Sequence, residues 1–116
     1  MENNITNKNI SDAYLQVFWI LDEYYEQTKL DRLGSMLCDL DPKSWPTSKE
    51  KPVASGDPSM YSYVWTNAWN EIVGEDKNAT PEQVFAVAKV ILDYYQDEVK
   101  YDLGDSEAFL REALGI

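Results

Sequence analysis

Apolar positions along this chain recur with the 3.6-residue period of an α-helix, and no segment of useful length alternates with a period of two. From Ala13 to Thr28, Tyr14, Val17, Phe18, Leu21 and Tyr25 keep the i, i+3, i+4 spacing of one helical face, with Ser11 as the expected N-cap. The unbroken run Val17-Phe18-Trp19-Ile20-Leu21 widens that stripe and predicts a central helix. Residues 31–40 place Leu33, Met36, Leu37 and Leu40 on one side of a shorter helix. Asp41-Pro42 ends it, because the residue before a proline avoids the α region. Asp57-Pro58 supplies N-cap and N1 chemistry for a third helix, continued by Met60, Tyr61, Val64, Trp65, Ala68, Trp69 and Ile72 as far as Gly74. Thr80-Pro81-Glu82-Gln83 is a stronger start: the Thr80 hydroxyl can accept from the Gln83 amide while the Gln83 side chain reaches back. Val84, Ala88, Ile91, Leu92, Tyr95 and Val99 then form the inner face. A last short helix follows Gly104-Asp105-Ser106, with Phe109, Leu110, Ala113 and Leu114 inward. The pattern predicts an all-α, single-domain bundle of about five helices.

Two stretches break the pattern. Residues 42–58 hold four of the five prolines (Pro42, Pro46, Pro52, Pro58) with Lys43, Lys49 and Lys51, and read as a long loop between the second and third helices. A loop of that length inside a small domain is usually functional or mobile, and Trp45 within it suits either a loop anchor or an exposed binding residue. Residues 1–10 are polar, with Asn3, Asn4, Asn7 and Asn9 among them, and read as a flexible lead to a domain spanning 11–116. No run approaches the ~18 apolar residues of a membrane span, and the start lacks the basic and apolar regions of a secretory signal. The expected location is the cytoplasm, with no membrane partner, which makes the Asn-x-Ser/Thr triplets at Asn4, Asn9 and Asn78 chance matches.

Charge narrows the chemistry. The 116 residues carry 21 acidic and 10 basic side chains, for a net charge of −11, yet 44% are hydrophobic, so the charge decorates a folded body. Such a balance opposes nucleic-acid binding and favours a basic partner. The absence of histidine removes Ser-His-Asp, Cys-His and HExxH chemistry. Cys38, the single cysteine, cannot form an intrachain disulfide, and beside Leu37 and Asp39 it reads as a small buried apolar residue. Trp19, Trp65 and Trp69 read as core. Asp39-x-Asp41 and Asp76-x-Asn78-x-Thr80 start like calcium loops but lack the glycine and glutamate that complete one. The glycines are isolated and form no phosphate cradle. No metal, cofactor or catalytic residue is expected, and an enzyme is the least favoured class.

Two segments resemble each other. Ile20-Leu21-Asp22-Glu23-Tyr24-Tyr25 matches Ile91-Leu92-Asp93-Tyr94-Tyr95 with one residue inserted, and Lys29-Leu30-Asp31-Arg32-Leu33-Gly34 echoes Lys100-Tyr101-Asp102-Leu103-Gly104. Internal duplication and convergence on a common helix-end composition both explain this. Residues 12–41 hold seven acidic and two basic residues, net −5, and residues 93–112 hold the same numbers, leaving −1 elsewhere. If the segments lie side by side, their outer faces form an acidic surface that steers a basic partner. Solvated helix faces that keep a small protein soluble account for the same charges. In each tyrosine pair one ring can face the core while its neighbour, about 100° round the helix, sits at the surface as an interface anchor.

The stretch Leu33-Gly34-Ser35-Met36-Leu37-Cys38-Asp39-Leu40, followed by Trp45, Asp57-Pro58, Trp65 and Trp69 and preceded by Leu21-Asp22-Glu23-Tyr24-Tyr25, resembles small acidic helical immunity proteins. These are encoded beside bacterial polymorphic and contact-dependent growth inhibition toxins. The resemblance covers residues 14–73 and implies a role rather than a residue set: binding and neutralising a cognate toxin domain, commonly a basic nuclease. The charge distribution assigns the partner-binding face to Asp22, Glu23, Glu26 and Asp31 from the first segment and Asp93, Asp97, Glu98 and Asp102 from the second. Tyr24 and Tyr94 are the expected anchors, and the protein is read as a monomer. Two other classes fit the same charge: a nucleic-acid mimic that blocks a DNA- or RNA-binding enzyme, and a non-catalytic helical adaptor that dimerises.

Overall fold

Asn9 starts the first helix, α1 (Ile10–Thr28). Its extended backbone lets the side-chain oxygen accept from the Asp12 amide at 2.8 Å, in the manner of an N-cap. The cap therefore falls two residues before Ser11, which is buried and donates its hydroxyl to Asn9 Oδ1 at 3.3 Å. The computed structural model describes residues 7–43, 54–57 and 59–116. Trp45, Pro46, Lys49, Lys51, Pro52 and Pro58 lie outside the described residues, as do residues 1–6 of the expected lead. The rest of that lead belongs to the fold: the Lys8 and Ala79 backbones exchange hydrogen bonds of 3.0 and 2.8 Å.

Among the described residues the chain is all-α, with five helices and one two-residue clasp. α2 (Asp31–Leu40) follows α1 after Lys29, whose φ of 55° turns the chain in the left-handed region. Beyond α2, β1 (Pro42–Lys43) pairs antiparallel with β2 (Ala54–Ser55), in the register Pro42 to Ser55 and Lys43 to Ala54. The Asp57 amide donates to the Asp39 carbonyl at 2.8 Å, so both ends of the long connection are tied to α2. Gly56 is required at this crossing, because a β-carbon there would collide with the Cys38 carbonyl oxygen. The buried Ser55 hydroxyl donates to the Asp57 carbonyl and accepts from the Tyr61 amide, joining the clasp to α3.

α3 opens with a π-helical stretch, Met60–Trp65, and continues as an α-helix over Thr66–Ile72. The Asp57 carboxylate accepts from the Ser59 amide and hydroxyl at 3.1 and 2.9 Å just before it. α4 begins at the reciprocal Thr80–Gln83 capping box, runs as an α-helix over Pro81–Asp93 and then widens into a π-helical stretch, Tyr94–Glu98. α5 (Ser106–Leu114) ends at Gly115, where φ is 80°. Neighbours round the core run α2, α1, α5, α4, α3, and the first turns of α3 close the ring against α2.

The core is apolar, with its polar edges satisfied. Trp65 is fully buried, stands edge-on to Tyr14 and donates its indole N–H to the Ile10 carbonyl at 3.0 Å. Tyr14 donates its hydroxyl to the Leu40 carbonyl at the end of α2. Three expected inward residues face out instead. Trp19 is 58% exposed, because Val17, Phe18 and Leu21 take the core face and residue 19 lies about 200° round the helix from Val17. Cys38 is exposed for the same reason, two positions from Met36 and from Leu40, both buried. Ala113 is exposed on the last turn of α5.

Burial, above all, raises the Tyr14 and Tyr95 hydroxyls far above the ordinary value of 10.0; for Tyr95 the hydrogen bond to Asp39 and its negative charge add to this. The folded chain therefore keeps protons that the unfolded chain releases above that value. Stability is expected to hold below about pH 10 and to fall as the pH rises further. Phenolate absorbance followed beside helical circular dichroism checks this: the last tyrosines should ionise together with unfolding, not before it.

Candidate functional site

The two acidic segments meet at one end of the bundle. The Asp105 amide, at the start of α5, donates to the Tyr24 hydroxyl at 2.8 Å, and the Tyr24 ring lies 4.9 Å from Phe109. The Arg32 guanidinium sits over the Tyr101 ring at 5.4 Å. These contacts bring the end of α1 and the start of α2 against the turn that joins α4 to α5. Asp31 and Asp102, both exposed, belong to that end.

The ten expected partner-binding residues do not form one continuous face. Asp22 and Asp31 line a groove between α1 and α2, while Glu23 and Glu26 are exposed on α1 beside it. Glu26 is already paired, its carboxylate 2.8 Å from Lys29 Nζ, and this bond holds the exposed lysine more firmly protonated. Asp93 is likewise engaged: it accepts from Lys89 Nζ with both oxygens at 3.0 Å, and Glu107 on α5 lies 3.8 Å from the same ammonium. Asp97 adds to the negative field on Lys89, so this side of α4 and α5 carries its own cation. Glu98 is exposed, and Asp102 accepts from the Gly104 amide at 3.0 Å while remaining exposed.

The tyrosine pairs behave differently from one another. Tyr95 is buried and Tyr94 is 48% exposed, as the helical angle predicts. Tyr24 and Tyr25 are both half-buried, because α5 covers the first and α2 the second. Tyr24 is thus a packing residue between helices rather than a free anchor. Tyr94 points to another groove, of about 470 Å³, bordered by Asp39, Asp57, Met60, Val64 and Val90.

The α1–α2 groove, of about 540 Å³, is the larger of these two. Its walls are Phe18, Trp19, Tyr25 and Leu37, and its polar groups are Asp22, Asp31, Asp41, Ser35 and Cys38. Gly34 forms part of the floor, where a β-carbon would lie 2.8 Å from the Tyr25 ring. Trp19 is expected in the core from the apolar pattern and Cys38 from its flanks, Leu37 and Asp39, so both are missed. The signal that finds Trp19 is its angle within a run of five apolar residues, all of which cannot face inward. Among the described residues no group of three His, Cys, Asp or Glu side chains is arranged to hold a metal, and no helix is long and apolar enough to cross a membrane. Comparison of the chain with protein-family models, with curated proteins and with solved structures yields no match.

Proposed function

We propose that this chain is a cytoplasmic immunity-type inhibitor that binds a basic bacterial toxin domain, of the nuclease kind, through its acidic surface. The observation that carries the reading is the meeting of two segments of net −5 at one end of an all-α bundle. A field concentrated in this way steers a cationic surface into place.

A second feature supports it. Glu26 lies in the last turn of α1, and Asp97 and Glu98 lie in the closing stretch of α4, with no basic residue in either last turn. Carboxylates there oppose the helix dipole. Glu26 is offset by Lys29 at the C-cap and Asp97 by Lys89, but the exposed Glu98, in no ion pair among the described residues, is better accounted for by a partner than by folding. A nuclease domain that binds phosphates must present lysine and arginine, which gives this surface a complementary target.

The test is protection. The C-terminal domain of whatever protein the neighbouring upstream gene encodes is expressed alone and together with this protein. Growth arrest by the toxin, relieved by co-expression, is the expected result. The association rate of the two purified proteins should fall steeply between low and high salt. A toxin left active, or a rate indifferent to salt, overturns the reading.

A further inference from the structure

The groove between α1 and α2 combines features that a merely solvated helix face does not need. Trp19 exposes 58% of its surface at the rim, and its ring is held edge-on against Phe18 at 5.0 Å. A bulky indole kept in water by a rigid neighbour loses little freedom on binding, which is the character of an interface hot spot. One turn further along the same helix stands Asp22, with Asp31 and Asp41 from the facing element. Among the described residues none of these three carboxylates is in an ion pair, and no lysine or arginine lines the groove. Lys29, which feels the charge of Asp22, is taken up by Glu26 and lies 5.2 Å from the Tyr25 ring.

We infer that this groove receives an arginine-bearing segment of the basic partner, the guanidinium resting on the Trp19 ring and pairing with Asp22 and Asp31. The inference rests on the proposed function and names the contact through which it acts. Charge complementarity selects the occupant: unpaired carboxylates beside apolar walls suit a side chain with an apolar stem and a cationic head. Arginine fits better than lysine, because its planar head stacks on an indole and bonds a carboxylate with two N–H groups at once. Cys38, the chain's single cysteine, is exposed in the same lining and reports on occupancy.

The probe is a penta-arginine peptide, with penta-lysine and penta-glutamate for comparison, titrated into the full-length protein at physiological salt. Alkylation of Cys38 by iodoacetamide is timed with and without peptide. Penta-arginine is expected to bind more tightly than penta-lysine and to slow alkylation. Trp19→Ala and the double variant Asp22→Asn with Asp31→Asn should each weaken binding about tenfold. The pair Glu71→Gln with Glu75→Gln removes the same charge at exposed positions outside both acidic segments and should change affinity by less than about twofold. Circular dichroism confirms that each variant is folded. Equal losses from the two pairs, with Trp19→Ala neutral and Cys38 unprotected, overturn the groove while leaving a diffuse acidic binding surface in place. No binding of penta-arginine also overturns it, and the neutralisation assay judges the wider reading separately.

Discussion

Trp65→Ala is expected to lower stability by about 3–5 kcal/mol, the range that truncation of a fully buried tryptophan costs. The indole is fully buried, packs against Tyr14 at 5.3 Å and Trp69 at 6.1 Å, and occupies the point where α1, α3 and the end of α2 approach. Its removal leaves a cavity too well braced to collapse. It also strands the Ile10 carbonyl, which accepts the indole N–H. Against a total of about 5–15 kcal/mol for a domain of this size, such a loss leaves a chain that unfolds in mild urea. Trp19→Ala provides the contrast, expected within about 0.5 kcal/mol of the parent because most of its ring is already in water. Urea titrations followed by circular dichroism compare the two. A loss at Trp19 as large as at Trp65 would mean that both are core residues and would remove the rim of the proposed groove.

The fourfold charge reversal Asp22→Lys, Glu23→Lys, Glu26→Lys and Asp31→Lys is the second large effect, and it acts on binding rather than on folding. It moves the net charge from −11 to −3 and turns the first acidic segment into a basic one. Toxin affinity should fall by about a hundredfold or more, chiefly through a slower association rate. Stability should change little, because lysines near the end of α1 favour that helix's dipole while Asp31→Lys, in the first turn of α2, opposes the dipole there. Glu26 loses its pairing with Lys29, but both side chains are about 60% exposed and such pairs contribute little. Surface plasmon resonance measures the rate and thermal melting the stability. Unchanged affinity in a folded variant would show that this segment is not part of the interface.

These two expectations separate what patterning could reveal from what it could not. The five helices were legible because each has a stripe of apolar residues at helical spacing, and the α4 start was legible down to its reciprocal hydrogen bonds between Thr80 and Gln83. The true start of α1 was not, since Asn9 and Ser11 are both good caps and the choice depends on which side chain reaches a free amide. The π-helical stretches at Met60–Trp65 and Tyr94–Glu98 were also invisible, because hydrogen-bond spacing responds to packing against neighbours rather than to local composition.

The candidate site divides in the same way. That acid is concentrated in residues 12–41 and 93–112 follows from counting, and so does the inference that a basic partner suits the chain. Whether those carboxylates are free depends on neighbours remote in sequence. Glu107 on α5 joins Asp93 at Lys89, and the Asp105 amide occupies the Tyr24 hydroxyl across 81 positions of chain. Trp19 is the sharpest case, since a tryptophan inside an apolar run looks like core until the helix is turned about its axis and packed.

By itself the sequence determined the class of fold, the number of helices and the sign and location of the charge, because periodicity and composition are properties of residues near one another in the chain. Only the tertiary structure decided which of the acidic and aromatic residues stand open to a partner. Exposure belongs to surfaces that come together from distant segments: α2 laid against α1 leaves a groove with Trp19 on its rim, while α5 laid against α1 covers Tyr24.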